Sequence, residues 1–219
     1  MKKAVYICLE GTEGVGKTTQ TQKLVDHLRA KGFKVLQTKE PGTPLAPLTM
    51  QLRAIMLDKQ YDEQLTTPAR ELVSQAIRSV HIEKVVVPAL NEYDFIVQDR
   101  GILSGLAYGT ACGNDPDWLI DLAYKVTPSA VVLNNAKILY DHVLILSGNT
   151  SVGLQKALQA KQEFAAGDAM EARGNSFLQQ VSDNMAMFSG LFNTKTVIVD
   201  GKGIDEVFSE ILTVLNLGE

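Results

Sequence analysis

Residues 11–18 read Gly11-Thr12-Glu13-Gly14-Val15-Gly16-Lys17-Thr18 and satisfy the pattern G-x-x-x-x-G-K-[ST] at every constrained position. The pattern limits what the chain can fold into, because its chemistry needs a strand on one side and a helix on the other. Both signals are present. Val5-Tyr6-Ile7-Cys8-Leu9 is a short, β-rich apolar run, and Thr18 to Ala30 places Leu24, Val25 and Leu28 at helical spacing. Strand, glycine loop and helix in that order aim backbone N–H groups at an anion. The glycines let the main chain approach phosphate oxygens, Lys17 reaches the β- and γ-phosphates of a nucleotide, and Thr18 helps to hold Mg²⁺.

Strand and helix patterns alternate beyond the loop. Val35 to Thr38 is a second strand, after a helix ended by Gly32, and Leu48 to Leu57 is a short helix. Thr67-Pro68 reads as a helix start, with Thr67 as N-cap and Pro68 at the first helical position. That helix runs to about Leu90, bent near Pro88. Phe95 to Asp99 is a third strand, Ile102 to Tyr108 and Asp117 to Val126 are helices, and Thr127 to Leu139 fits no one element type. His142 to Leu146 and Thr196 to Val199 are the fourth and fifth strands; Thr150 to Gln162, Glu171 to Phe188 and Ile204 to Leu215 are helices. Strands separated by helices imply an α/β domain whose parallel sheet is covered on both faces. Ligands of such sheets bind beyond the carboxyl ends of the strands, where Glu10, the loop after Thr38, Asp99 and Asp200 all fall.

Bulk properties narrow the partners. A net charge of −4 gives no basic field to recruit nucleic acid. Two cysteines, Cys8 and Cys112, make no disulfide framework. The apolar run after Lys2-Lys3 stops at Leu9, too short for a signal peptide, and no stretch is long enough to span a membrane, so the expected location is the cytoplasm. His27, His81 and His142 lack metal-ligand spacing.

Asp99-Arg100 closes the third strand with an acid that can orient Mg²⁺ through water and an arginine that can clamp a phosphate in a bidentate manner. With this pair the chain resembles the thymidylate kinase family of P-loop nucleoside monophosphate kinases over nearly its whole length. Glu10 to Thr19 resembles the family's E-G-x-[ED]-G-x-G-K-[ST]-T loop, and Thr38 to Ala46 its T-R-E-P-G-G-T-x-L-A segment. Arg53 in Leu52 to Leu57, the Arg78/His81 pair followed by Pro88-Ala89-Leu90, and Asp99-Arg100 followed by Ser104-Gly105-Leu106-Ala107-Tyr108 match in order.

The resemblance implies a five-stranded sheet in the order 2-3-1-4-5, a lid at about 154–173, ATP and Mg²⁺ as donor and cofactor, and a homodimer. It implies that Gly11, Thr12, Glu13, Gly14, Val15, Gly16, Lys17, Thr18 and Thr19 bind ATP, with Thr18 and Asp99 serving the metal. Lys17, Asp99, Arg100 and Lys156 are its catalytic candidates. Glu13, Glu40, Pro41, Arg53, Ser74, Arg78, Arg100, Ser104, Gly105 and Tyr108 are its candidates for the acceptor. Among these, Arg53 and Arg100 hold the acceptor phosphate, Arg78 donates to a base carbonyl, and Tyr108 packs under the sugar and disfavours a 2′-hydroxyl.

The chain departs from the family in the base pocket and the lid. Ser74 stands where the family has a phenylalanine that stacks on thymine, Gly109 where it has a glutamine-like residue, and Gly101 where it has an aromatic. Stacking of a base on an aromatic is worth ~1–3 kcal/mol, so Ser74 and Gly109 together predict a roomier pocket, suited to a 5-substituted deoxypyrimidine. Gly14 occupies a loop position where some members carry arginine, and the lid offers Lys156, Lys161 and Arg173, with Leu158 and Ala169 at or near arginine positions. Other readings of the phosphate loop are a GTPase switch, which needs an N-K-x-D segment absent here, a kinase of nucleosides or other small hydroxyl acceptors, and a nucleotide-binding protein with weak catalysis.

Overall fold

The computed structural model describes residues 4–127, 132–133, 137–138, 140–160 and 169–218. In chain order the elements are β1 (Val5–Glu10), α1 (Lys17–Ala30), β2 (Val35–Lys39), α2 (Pro47–Leu57), α3 (Thr67–His81), α4 (Val87–Glu92), β3 (Phe95–Asp99), α5 (Ile102–Ala111), α6 (Pro116–Val126), β4 (Val132–Leu133), β5 (Lys137–Ile138), β6 (His142–Ser147), α7 (Thr150–Ala160), α8 (Gly174–Phe188), β7 (Thr194–Ile198) and α9 (Ile204–Leu215). Five strands form one sheet in the order β2-β3-β1-β6-β7, and every pairing in it is parallel. Counted along the chain, this is the expected order 2-3-1-4-5. The separate pair β4-β5 is a short antiparallel ribbon, which gives a form to part of the segment whose type the sequence leaves open.

β1 shows why the sheet lies in the middle. Side chains alternate across a strand, and both faces of this one are apolar. Tyr6 and Cys8 join Ile96, Val143 and Ile145 in a core with α3, α5, α6 and α8. Ile7 and Leu9 join Val97, Leu144 and Leu146 in a second core with α1 and α9. The carboxyl ends at Glu10, Lys39, Asp99 and Ser147 therefore share one edge, with the phosphate loop across it.

Several boundaries differ from the sequence expectation. Thr66, not Thr67, caps α3: its Oγ1 accepts the Ala69 N–H at 3.4 Å, and Pro68 sits one place further in, where a first-turn residue has no N–H partner to lose. Helical chain runs past Leu90 to Glu92, but it is not one α-helix: α3 ends at His81. A π turn at Ile82–Val86 precedes α4, and the wider turn carries helical chain past a residue that cannot donate to the carbonyl four residues back. α5 extends beyond Tyr108 to Ala111, α6 starts at Pro116 under an Asp115 cap, and β7 lies two residues earlier than expected at its start. A 3₁₀ turn at Glu171–Arg173 precedes α8, and Gln162 lies outside the described residues. Among these residues no helix is long and apolar enough to cross a membrane.

Candidate active site

The phosphate loop passes close over the sheet edge and under α7. A Cβ on Gly11 would lie 2.4 Å from the Leu146 carbonyl oxygen, and one on Gly14 would lie 1.9 Å from that of Gly153. The reverse holds too: a Cβ on Gly153 would lie 2.2 Å from the Glu13 carbonyl. Loop and helix thus meet glycine to glycine, which explains why position 14 has no room for an arginine. Gly16, at φ 89°, begins α1 with no side-chain cap, leaving the first-turn N–H groups available to an anion. Lys17 is buried and donates to the Thr12 carbonyl oxygen. Burial, with Arg100 nearby, lowers its pKa to about 8 against the pull of Glu13, Asp99 and Glu10. Thr18 Oγ1 donates to Asp99 Oδ2 at 2.7 Å.

Arg100 sits at the β3–α5 junction in left-handed backbone, φ 63°, a conformation that disfavours a non-glycine residue. Its neighbours hold it there. The Arg100 N–H donates to the Leu9 carbonyl at 2.9 Å. The N–H groups of Gly101 and Ser104 donate to Glu10 Oε1 at 2.9 and 3.2 Å, and Ser104 Oγ donates to Glu10 Oε2. Burial raises the Glu10 carboxyl above its ordinary value, opposed by these Ser104 bonds and Arg100. The Arg100 guanidinium donates through Nη1 to the Gly11 carbonyl at 2.7 Å and to Ser104 Oγ at 3.1 Å, and its Nη2 lies 2.8 Å from Glu13 Oε1. Tyr108 donates to the same Glu13 oxygen at 3.1 Å, and its ring lies 5.3 Å from the guanidinium. Burial alone would lower the pKa of Arg100, but Glu13, Tyr108 and Asp99 raise it above its ordinary value.

A cavity of about 360 Å³ opens beside this cluster, between α2, α3 and α5. One wall is a buried ionic network. Glu40 Oε2 meets Arg78 Nε at 3.1 Å, Glu40 Oε1 meets His81 Nδ1 at 3.0 Å, and His81 Nε2 lies 2.8 Å from Thr38 Oγ1. Burial would raise the Glu40 carboxyl; Arg78 and His81 outweigh it and hold it below its ordinary value. Glu40-Pro41 is a cis peptide, and Arg53 Nη1 donates to the Pro41 carbonyl at 3.0 Å. Gly105 lets Arg78 lie against α5, since a Cβ there would sit 2.3 Å from Arg78 Nη2.

The departures in the base pocket separate in space. Ser74 borders the cavity, and Tyr108 is the sole aromatic among the described lining residues, so no other ring replaces the missing phenylalanine. Gly109 opens less room than expected: a Cβ there would lie 2.9 Å from Glu71 Oε2 and 3.0 Å from Leu119. Those two side chains take the space. At Gly101 a Cβ would lie 2.1 Å from Tyr140 Oη. Tyr140 accepts the Ile102 N–H at 3.3 Å and packs edge-on against Tyr6 at 4.8 Å, so an aromatic from far along the chain fills the volume of one at position 101.

A second cavity, of about 270 Å³, lies over Gly14, Gly16, Lys17, Thr18 and Thr19, with Lys156 and Ala157 of α7 on its other side. Both cavities are lined by Glu13, Thr18, Asp99 and Arg100. The sequence-predicted residues therefore assemble at one junction, with Glu40, Pro41, Arg53, Ser74, Arg78, Ser104, Gly105 and Tyr108 around the larger space. Gly11, Thr12 and Val15 line neither. Arg173 also lines neither; its Nη2 lies 3.8 Å from Asp62 and its guanidinium 5.3 Å from the Phe177 ring. Ala169 is buried and donates its N–H to the Leu57 carbonyl at 3.0 Å. Lys161 and the Leu158 side chain lie outside what is described. No group of three His, Cys, Asp or Glu able to hold a metal occurs among the described residues. The oxygen pair Thr18 and Asp99, beside a phosphate loop, suits a hard cation that completes its shell with phosphate and water. Sequence reasoning misses Glu71 and Met170, which also line the larger cavity. Glu71 is legible in retrospect, seven residues before Arg78 and on the same helix face.

Comparison with known proteins agrees with this geometry. Residues 9–211 match the family model described as thymidylate kinase. The thymidylate kinase of Geotalea daltonii is 33% identical over 219 residues, covering 96% of this chain and 95% of that protein. That of Geobacter sp. (strain M21) is 34% identical, covering 90% and 84%, and that of Orientia tsutsugamushi is 32% identical, covering 96% and 92%.

Proposed function

The chain belongs to the thymidylate kinase family and is a nucleoside monophosphate kinase, a phosphotransferase, and we propose that it transfers the γ-phosphoryl group of ATP to dTMP or a related 5-substituted deoxypyrimidine monophosphate, yielding the diphosphate. The observation that supports this reading is the meeting of two cavities at Glu13, Thr18, Asp99 and Arg100. Two anionic phosphates brought together from opposite sides need positioning and charge neutralisation more than covalent help.

The residues divide the work. The loop N–H groups and Lys17 hold the donor phosphates, Lys17 exchanging the Thr12 carbonyl for phosphate oxygen. Arg100 exchanges Glu13 for the acceptor phosphate and, with Arg53, neutralises it. Glu10 keeps Arg100 aimed by fixing the N–H groups of Gly101 and Ser104. Arg78 donates to a base carbonyl, and Tyr108 packs under the deoxyribose. Thr18 and Asp99 would hold Mg²⁺, which would supply positive charge to the phosphate oxygens when bound. Lys156, on α7 at the start of the 154–173 lid, adds a point charge beside the donor phosphates. A homodimer in the cytoplasm completes the proposal.

A coupled ADP-release assay with ATP and Mg²⁺ tests it against deoxy- and ribonucleoside monophosphates and the free nucleosides. The expected result is turnover that requires a deoxypyrimidine monophosphate. Phosphorylation of free nucleosides, or ATP hydrolysis indifferent to any acceptor, would overturn it.

A further inference from the structure

One wall of the larger cavity carries a polar ladder that the transfer of phosphate leaves unused. Arg78 Nη1 donates to Gln75 Oε1 at 2.9 Å, and Gln75 Nε2 donates to Glu71 Oε1 at 2.6 Å. Residues 71, 75 and 78 lie at i, i+4 and i+7, so they share one face of α3. All three are buried, Glu71 to 5% exposure, and Glu71 borders the cavity. Its other oxygen, Oε2, lies beside Gly109, 2.9 Å from where a Cβ on that glycine would stand. Burial raises the Glu71 carboxyl above its ordinary value, while Arg78 and the Gln75 amide favour the charged form.

A carboxylate that borders a ligand cavity favours a ligand that donates to it over one that cannot. The methyl group of thymine cannot donate. Seven residues of helix separate Glu71 from Arg78, roughly 10 Å of rise, with Gln75 bridging them. Glu71 therefore meets what lies beyond the ring edge that Arg78 reads. Ser74, in place of an aromatic plate, leaves room for a larger substituent on the way. We infer that Glu71, oriented by Gln75, is a specificity-determining residue that selects deoxypyrimidine monophosphates carrying a hydrogen-bond donor on the base, a hydroxyalkyl group at C5 or an exocyclic amine, over the methyl of dTMP. The inference rests on the kinase function proposed above and narrows its acceptor.

The test measures kcat/KM of the wild type, Glu71→Leu and Glu71→Gln with dTMP, dUMP, 5-hydroxymethyl-dUMP and dCMP. The wild type should prefer 5-hydroxymethyl-dUMP or dCMP to dTMP by at least about tenfold, and the better of the two identifies the donor group. Glu71→Leu should reduce that ratio about 10- to 100-fold, mainly through KM. Glu71→Gln, which keeps the shape, should move it in the same direction and serves if the leucine variant does not fold. A wild-type preference for dTMP, or a ratio unchanged in a folded variant, overturns the inference. Absence of turnover with every monophosphate overturns instead the kinase function on which it rests.

Discussion

Replacing Glu40 with glutamine removes one charge and almost no volume from the ionic network at the cavity wall, so its effect isolates electrostatics. Glu40 is 8% exposed, Arg78 2% and His81 0%. Breaking a buried pair from one side leaves the other charge uncompensated and typically costs ~3–5 kcal/mol. That is a large part of a total stability of about 5–15 kcal/mol. At roughly 2–4 °C per kcal/mol for a chain of this size, Glu40→Gln should melt about 6–20 °C below the wild type. Urea unfolding at neutral pH gives the free-energy difference, and the same measurement on Arg78→Met and on the double variant closes a cycle. The double variant should be less destabilised than the sum, because removing both charges leaves neither stranded.

The pH dependence carries the sign. Burial works against the Glu40 carboxylate, but Arg78 and His81 hold its native pKa below the ordinary value. As pH falls, the unfolded chain takes up the proton first. The stabilisation is complete above the ordinary carboxylate range and is lost as pH falls through the lowered native pKa. Wild-type and variant stabilities should therefore converge in acid. A neutral-pH difference below about 1 kcal/mol, the value of an exposed pair, or a difference that persists in acid would refute the electrostatic account.

Lys17 should impose a basic limit on ATP binding: with its pKa lowered to about 8, the free enzyme loses the ammonium above that pH, and KM for ATP should rise about tenfold per pH unit; a flat profile between pH 7.5 and 9.5, about that value, counts against the charge on Lys17. Gly153→Ala favours helix by ~1 kcal/mol, yet it places a Cβ 2.2 Å from the Glu13 carbonyl, so kcat/KM for ATP should fall at least about tenfold; a stabilised enzyme with unaltered kinetics would show that α7 does not need to rest on the loop. Tyr140→Ala should cost ~3–5 kcal/mol in a thermal or urea melt. Gly101→Tyr, destabilising alone because Tyr140 occupies its space, should recover stability in the Tyr140→Ala background; additive losses would mean that the two positions do not share one volume.

What could be read from the sequence was local, and what could not be read was set across space. The phosphate loop, its strand and its helix depend on residues within a few turns of each other, so Gly11 to Thr18 and the apolar run Val5 to Leu9 point to their structure without further context. The same is true of Phe95 to Asp99 and of α9, whose bounds Ile204 and Leu215 coincide with expectation. The cap of α3 was misplaced by one residue because Thr66 and Thr67 are chemically equivalent, and only backbone geometry separates them. Glycine is the sharper case. Gly101, Gly109 and Gly14 all look like lost side chains in a one-dimensional comparison, and lost side chains suggest room. In space each faces a different neighbour: Tyr140 at the first, Glu71 with Leu119 at the second, and the Gly153 carbonyl at the third. A deletion in one place becomes an open cavity only if nothing opposite grows to meet it. Ser74 satisfies that condition, and the other three do not, so the base pocket gains polarity at Glu71 as well as space at Ser74.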